Sequence, residues 1–80
     1  MPEEQLFKTE ETCSRAAIAD ALAAAAEEIE AGTVELESAT ESRTVALPDS
    51  PRFEVELERL TDSETGEQRY ELEYEIRWTE

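Results

Sequence analysis

Tyr70-Glu71-Leu72-Glu73-Tyr74-Glu75-Ile76-Arg77-Trp78 is the stretch that decides the fold, because apolar and charged or polar residues alternate through it without a break. Successive side chains leave a β-strand on opposite sides, so a period of two marks a strand with one apolar face and one wet face. Upstream, Phe53, Val55 and Leu57 alternate with Glu54, Glu56 and Glu58 in the same way. The segment between the two runs, Asp62-Ser63-Glu64-Thr65-Gly66, is built of turn formers. A loop of four residues at Ser63–Gly66 sets Leu57 opposite Leu72, Val55 opposite Tyr74 and Phe53 opposite Ile76. Every apolar residue then meets an apolar residue, as a one-sided sheet requires.

Working toward the N-terminus, Val45 and Leu47 follow Arg43, and Val34 and Leu36 alternate with Glu35 and Glu37. Turn signals separate these runs at Ala39–Ser42 and at Pro48-Asp49-Ser50-Pro51. A five-residue loop at Pro48–Arg52 would set Leu47 against Phe53. Before Gly32 the period changes. Ile18, Leu22, Ala25 and Ile29 recur at steps of four, three and four, a helical stripe widened by Ala21. Ser14 is placed to cap the start of this helix, and Gly32 supplies the left-handed residue that commonly ends one. Residues 5–12 read as a first strand with Phe7 and Thr9 on one face. The expected fold class is therefore α+β. One helix packs on a four- to five-stranded, mainly antiparallel sheet, in the order β-α-β-β-β-β, as a single domain over residues 1–80.

The register that aligns the apolar residues also opposes Glu58 to Glu71, Glu56 to Glu73 and Glu54 to Glu75. Like charges directly opposed across a strand pair destabilise it. Glu27, Glu28 and Glu30 crowd the negative C-terminal end of the helix as well. In molar salt the Debye length falls to about 3 Å and most of that repulsion disappears. The plain reading of the ladder is a solvated face suited to a high-salt cytosol. A surface for a basic partner, imitating nucleic-acid phosphate, is the second reading. A divalent-cation site is the third, although nothing resembles a calcium loop.

The 80 residues carry a formal charge of −15, and only one of the seven basic residues is lysine. Such a chain repels nucleic-acid phosphate and anionic lipid, so neither nucleic acid nor membrane is an expected partner. No apolar run approaches the roughly 20 residues of a membrane span. The start, Met1-Pro2-Glu3-Glu4, does not read as a signal peptide, and a cytoplasmic location is expected. A single cysteine, Cys13, rules out an intramolecular disulfide and reads as a small buried apolar residue.

No catalytic set is visible. There is no histidine, which removes the usual general base near neutral pH and the commonest metal ligand. The two glycines are a helix stop and a turn, so no phosphate loop exists, and no cofactor or metal site is expected. Tyr70, Tyr74 and Trp78 fall on the inward face, where they would form the core beneath the helix. Their functional reading is a surface for a partner or a second copy, with Trp78 as anchor. An edge strand offers a further pairing surface.

The acidic amphipathic strand Arg69–Trp78, with the Leu6-Phe7 segment, the Ser14-Arg15 helix start, the Gly32 stop and the glutamate-rich strands before it, resembles the amphi-Trp domain over nearly the whole chain. That resemblance implies a helix-and-sheet fold and a high-salt habitat, and it implies no activity. The Ala39–Ser42 turn departs from it by lacking glycine. The expectation is a non-enzymatic accessory or interaction module, a homo-oligomer or bound to an unknown protein. The alternative is an acidic decoy for a basic or nucleic-acid-binding protein.

Overall fold

The computed structural model describes residues 2–80 and divides the chain into two compact units, Met1–Asp49 and Ser50–Glu80. The first holds helix α1 (Arg15–Ala31) and strands β1 (Thr33–Glu37) and β2 (Ser42–Ala46). The second is a hairpin of β3 (Arg52–Thr61) and β4 (Gln68–Arg77).

In the first unit, α1 is delimited by its two caps. Ser14 is extended, and its hydroxyl accepts from the Ala17 N–H at 3.1 Å. Gly32 has φ +94°, and its N–H reaches back to Glu28 O at 3.0 Å and Ile29 O at 3.1 Å. That left-handed backbone is steeply disfavoured for residues with a Cβ, which is why glycine stands there. The first turn carries no acid and the last turn no base to complement the helix dipole. One of the acids at the unfavourable end finds a donor, because the Glu28 carboxylate accepts from the Glu35 N–H at 3.1 Å. This bond ties the end of α1 to β1.

β1 and β2 pair antiparallel, with Val34 opposite Val45 and Leu36 opposite Arg43. Val34, Leu36 and Val45 are half-buried. The connection that lacks glycine is closed by Ser38. The Ser38 N–H donates to Glu41 O at 2.8 Å, and its hydroxyl accepts from the N–H groups of Thr40 and Glu41. A serine hydroxyl thus takes up donors that a glycine turn would satisfy through backbone alone.

The second unit has the register expected from the sequence. Phe53–Ile76, Val55–Tyr74 and Leu57–Leu72 face each other, as do Glu54–Glu75, Glu56–Glu73 and Glu58–Glu71. Asp62 builds the turn. Its Oδ1 accepts from the N–H of Glu64 at 2.8 Å and of Thr65 at 3.3 Å, and its carbonyl accepts from the Gly66 N–H at 2.8 Å. Gly66 supplies the positive φ of 76°.

Three expectations are corrected. Residues 5–12 form no strand, so the element order is α-β-β-β-β. Leu6 and Phe7 are consecutive and cannot share one face of a strand, which leaves little to bury on either side. The segment is held instead by the Arg43 Nε–H, which donates to Leu6 O at 3.1 Å. Second, the strands lie in two two-stranded sheets rather than one, β1-β2 and β3-β4, so Leu47 does not pair with Phe53. The Leu47 N–H extends the first sheet by donating to Gly32 O at 2.9 Å. Pro48 and Pro51 beyond it have no N–H to give a ladder. Third, Cys13 is exposed rather than buried.

Among the described residues no side chain is fully buried. The helical stripe Ile18, Leu22 and Ile29 is exposed, with Ala25 half-buried beside it. Alternation and helical spacing have sorted the side chains onto faces within each unit.

Candidate interaction surface

The β3–β4 hairpin presents two faces of opposite chemistry. One carries Phe53, Val55 and Leu57 from β3 and Tyr70, Leu72, Tyr74 and Ile76 from β4, because alternate residues of paired strands point the same way. Its side chains are open to solvent, Leu57 at 69% exposure, Tyr70 at 60% and Tyr74 at 59%. The Phe53 and Tyr74 rings stack across the strands with centroids 6.3 Å apart and planes 13° from parallel. Offset stacking at this separation is a favoured arrangement for aromatic pairs, and it stiffens the surface. Arg59, opposite Tyr70, is the one charged residue of β3 and β4 on this side.

Three residues were singled out from the sequence as a partner surface: Tyr70, Tyr74 and Trp78. The structure places Tyr70 and Tyr74 on the apolar face of the hairpin. The Tyr70 hydroxyl donates to Gln68 Oε1 at 3.1 Å, which anchors its polar end at the rim. Trp78 follows directly after β4 and is the least exposed of the three, at 37%. Phe53 and the aliphatic residues between them belong to the same surface, and their alternation is the signal that marks them.

The opposite face carries the glutamates. The row nearest the chain end is partly neutralised by Arg77. Arg77 Nη2 lies 2.9 Å from Glu54 Oε2, and its Nε lies 3.0 Å from Glu75 Oε1. One guanidinium therefore clamps both members of the Glu54–Glu75 pair, using the forked donors that suit carboxylates. An arginine two residues beyond one glutamate and diagonal to the other was the available signal. Among the described residues the other two rows, Glu56–Glu73 and Glu58–Glu71, have no such clamp. There Glu56 holds its proton more tightly than an ordinary carboxyl. A hydrogen bond with Glu58 contributes most, then the negative charge of Glu58, then slight desolvation. The perturbing neighbour is the glutamate two residues along the same strand, rather than Glu73 across the ladder.

At the turn end the hairpin has an open recess of 280 Å³ lined by Leu60, Thr61, Asp62, Glu67 and Arg69. Among the described residues no group of three acids, cysteines or histidines is arranged to hold a metal ion. Among the described residues no helix is long and apolar enough to cross a membrane.

No curated protein and no solved structure matches this chain. The sequence profile of the Amphi-Trp domain matches residues 1–80, the full length. With its amphipathic strands and the tryptophan that follows β4, the chain belongs to the Amphi-Trp domain family.

Proposed function

We propose that this chain is a non-enzymatic accessory module of a salt-rich cytosol that works by associating through an apolar face and is itself self-associating. The observation that carries the reading is the exposure of the β3–β4 apolar face while the glutamates of the same strands all occupy the other side. A contiguous apolar surface of this kind marks an interaction site in soluble proteins. The acidic face supports a high-salt setting, because among the described residues two of its three opposed glutamate rows lack a cation in ion-pair contact. Sedimentation across a dilution series in about 2 M KCl, where surface charge is screened, tests the association. A mass that falls with dilution supports it. A monomer at every concentration contradicts it.

The unclamped glutamates favour one other reading, an acidic decoy for a basic or nucleic-acid-binding protein. The two differ in salt response. A partner held by the glutamate face is released as salt rises, whereas one held by the apolar face persists in molar salt. Recovery of bound proteins from native lysate at low and high salt separates them.

A further inference from the structure

The geometry points to the N-terminal segment, residues 2–13, as a strap that closes on the apolar side of the β1–β2 hairpin, is latched by Arg43 and tightens as salt rises. The device lies within the first unit and does not depend on the association proposed above. Its latch follows from the register. Val34 stands opposite Val45 and Leu36 opposite Arg43, so these four side chains leave one side of the hairpin. Val34, Leu36 and Val45 are half-buried, whereas Glu35, Glu37, Ser42 and Thr44 on the other side are exposed. Arg43 thus rises from the apolar side, and its Nε–H donates to Leu6 O at 3.1 Å. Leu6 is drawn to that side across 37 positions of sequence. The residue after it, Phe7, is the one member of residues 2–13 that is half-buried. One polar latch and one apolar anchor therefore hold the strap at adjacent positions, and Ser14 begins α1 beyond it.

Charge opposes closure, which makes the strap sensitive to salt. Residues 2–13 carry four acids and one base, a side-chain charge of −3. Residues 14–49, the rest of the unit, carry eight acids and two bases, a side-chain charge of −6. Bringing the two together costs repulsion that is long-ranged in dilute buffer and screened beyond about 3 Å in molar salt. Glu41 adds a local competitor, because its Oε1 lies 3.8 Å from the same Arg43 Nε that serves Leu6. Salt weakens that exposed ion pair, while the bond to the Leu6 carbonyl depends on contact and geometry. The apolar anchoring of Phe7 is strengthened when salting-out ions are added and is never screened. Rising salt therefore removes what holds the strap off and leaves what holds it on.

Lys8 is the chain's only lysine and lies two residues beyond Leu6. A lysine-specific protease therefore cuts within the strap alone, and where opening is fast relative to cutting the rate reports the open fraction. Rates are compared with those of a free peptide of residues 2–13, which corrects for the effect of salt on the protease, and helicity is followed by circular dichroism. In about 2 M KCl the native chain is expected to be cut at least about fivefold more slowly than the peptide. Arg43→Met keeps an apolar stem, loses the donor and is expected to recover most of that difference at unchanged helicity. A native chain cut as fast as the peptide would overturn the strap, and a variant as protected as the native chain would overturn the latch. Should Arg43→Met lose helicity, Phe7→Ala decides, because it alters the strap and leaves the hairpin intact. Faster cleavage at native helicity supports closure; an unchanged rate overturns it. Lowering KCl to about 0.1 M is expected to speed cleavage of the native chain at least about fivefold. The acceleration should be smaller in the double variant Glu10→Gln, Glu11→Gln, whose strap charge falls from −3 to −1. No acceleration in the native chain, or equal acceleration in both, would overturn the dependence on salt.

Discussion

Replacing Glu58 by Gln should stabilise the protein at low salt, and the gain should vanish at high salt. Glu58 stands opposite Glu71 and is the neighbour that perturbs Glu56, so it takes part in two repulsive contacts on the glutamate face. A directly opposed like-charge pair costs about 0.2–1 kcal/mol, and removing one member recovers that amount. At 4–8 °C per kcal/mol for a domain of this size, the melting temperature should rise by about 1–8 °C. The Arg77 clamp provides the internal control. Glu54→Gln also removes an opposed pair, with Glu75, but it gives up the 2.9 Å contact to Arg77. Exposed ion pairs contribute about 0.2–1 kcal/mol, so the two effects offset and the net change should lie near zero. Thermal unfolding of the native chain and both variants would be followed by circular dichroism at one protein concentration, in 0.1 M and then about 2 M KCl, where screening is nearly complete. The native chain should gain stability with salt, and the Glu58→Gln advantage should close. An advantage that persists in 2 M KCl would refute the reasoning. So would a Glu54→Gln variant as stabilised as Glu58→Gln.

Acid should also stabilise the chain through Glu56. Its raised carboxyl means that the folded chain binds more protons than the unfolded one. Stability from this group is therefore complete below the ordinary value of 4.5 and is lost as pH rises through the raised one. Melting temperatures measured from about pH 4 to pH 7 should fall less steeply for Glu56→Gln than for the native chain; parallel curves would contradict this. At the start of α1, Ser14→Ala removes the acceptor of the Ala17 N–H and should cost about 1 kcal/mol, read as lost helicity and a lower melting temperature. At the other end, Gly32→Ala should cost about 1–2 kcal/mol for the left-handed backbone alone. A Cβ at Gly32 meets nothing within 4 Å, so a loss much larger than this would point to a contact the fold does not have.

The hairpin was legible in the sequence down to its register, because two signals of different origin agreed. Turn length fixed the pairing, and the period of two fixed the faces, so Leu57–Leu72, Val55–Tyr74 and Phe53–Ile76 followed together. The helix was legible for a similar reason, with Ser14 and Gly32 bracketing the stripe. What alternation cannot encode is what lies above a face. Tyr70 and Tyr74 share a side with Phe53 whether that side is covered or open, so reading the side as core was an added assumption. The first strand failed on a point the sequence does contain, since Leu6 and Phe7 are adjacent where alternation was needed. The Ser38 turn and the Arg77 clamp were missed because each depends on one side chain reaching a particular donor or acceptor. Periodic patterns do not register such contacts. Among the candidate site residues, Tyr70 and Tyr74 share one face of the hairpin, as alternation along β4 requires. Phe53, Leu57 and Leu72, which complete it, were legible as a face but not as an exposed one.

The measurement that bears most directly on the central claim is an isotope-filtered nuclear Overhauser experiment on a mixture of labelled and unlabelled chains in about 2 M KCl, where the ladders no longer repel. The account predicts intermolecular contacts among the methyl groups of Leu57, Leu72 and Val55 and the ring of Tyr74. Their absence in a sample that retains the β3–β4 cross-strand contacts would contradict it, as would intermolecular contacts confined to the strand edges or the glutamate face.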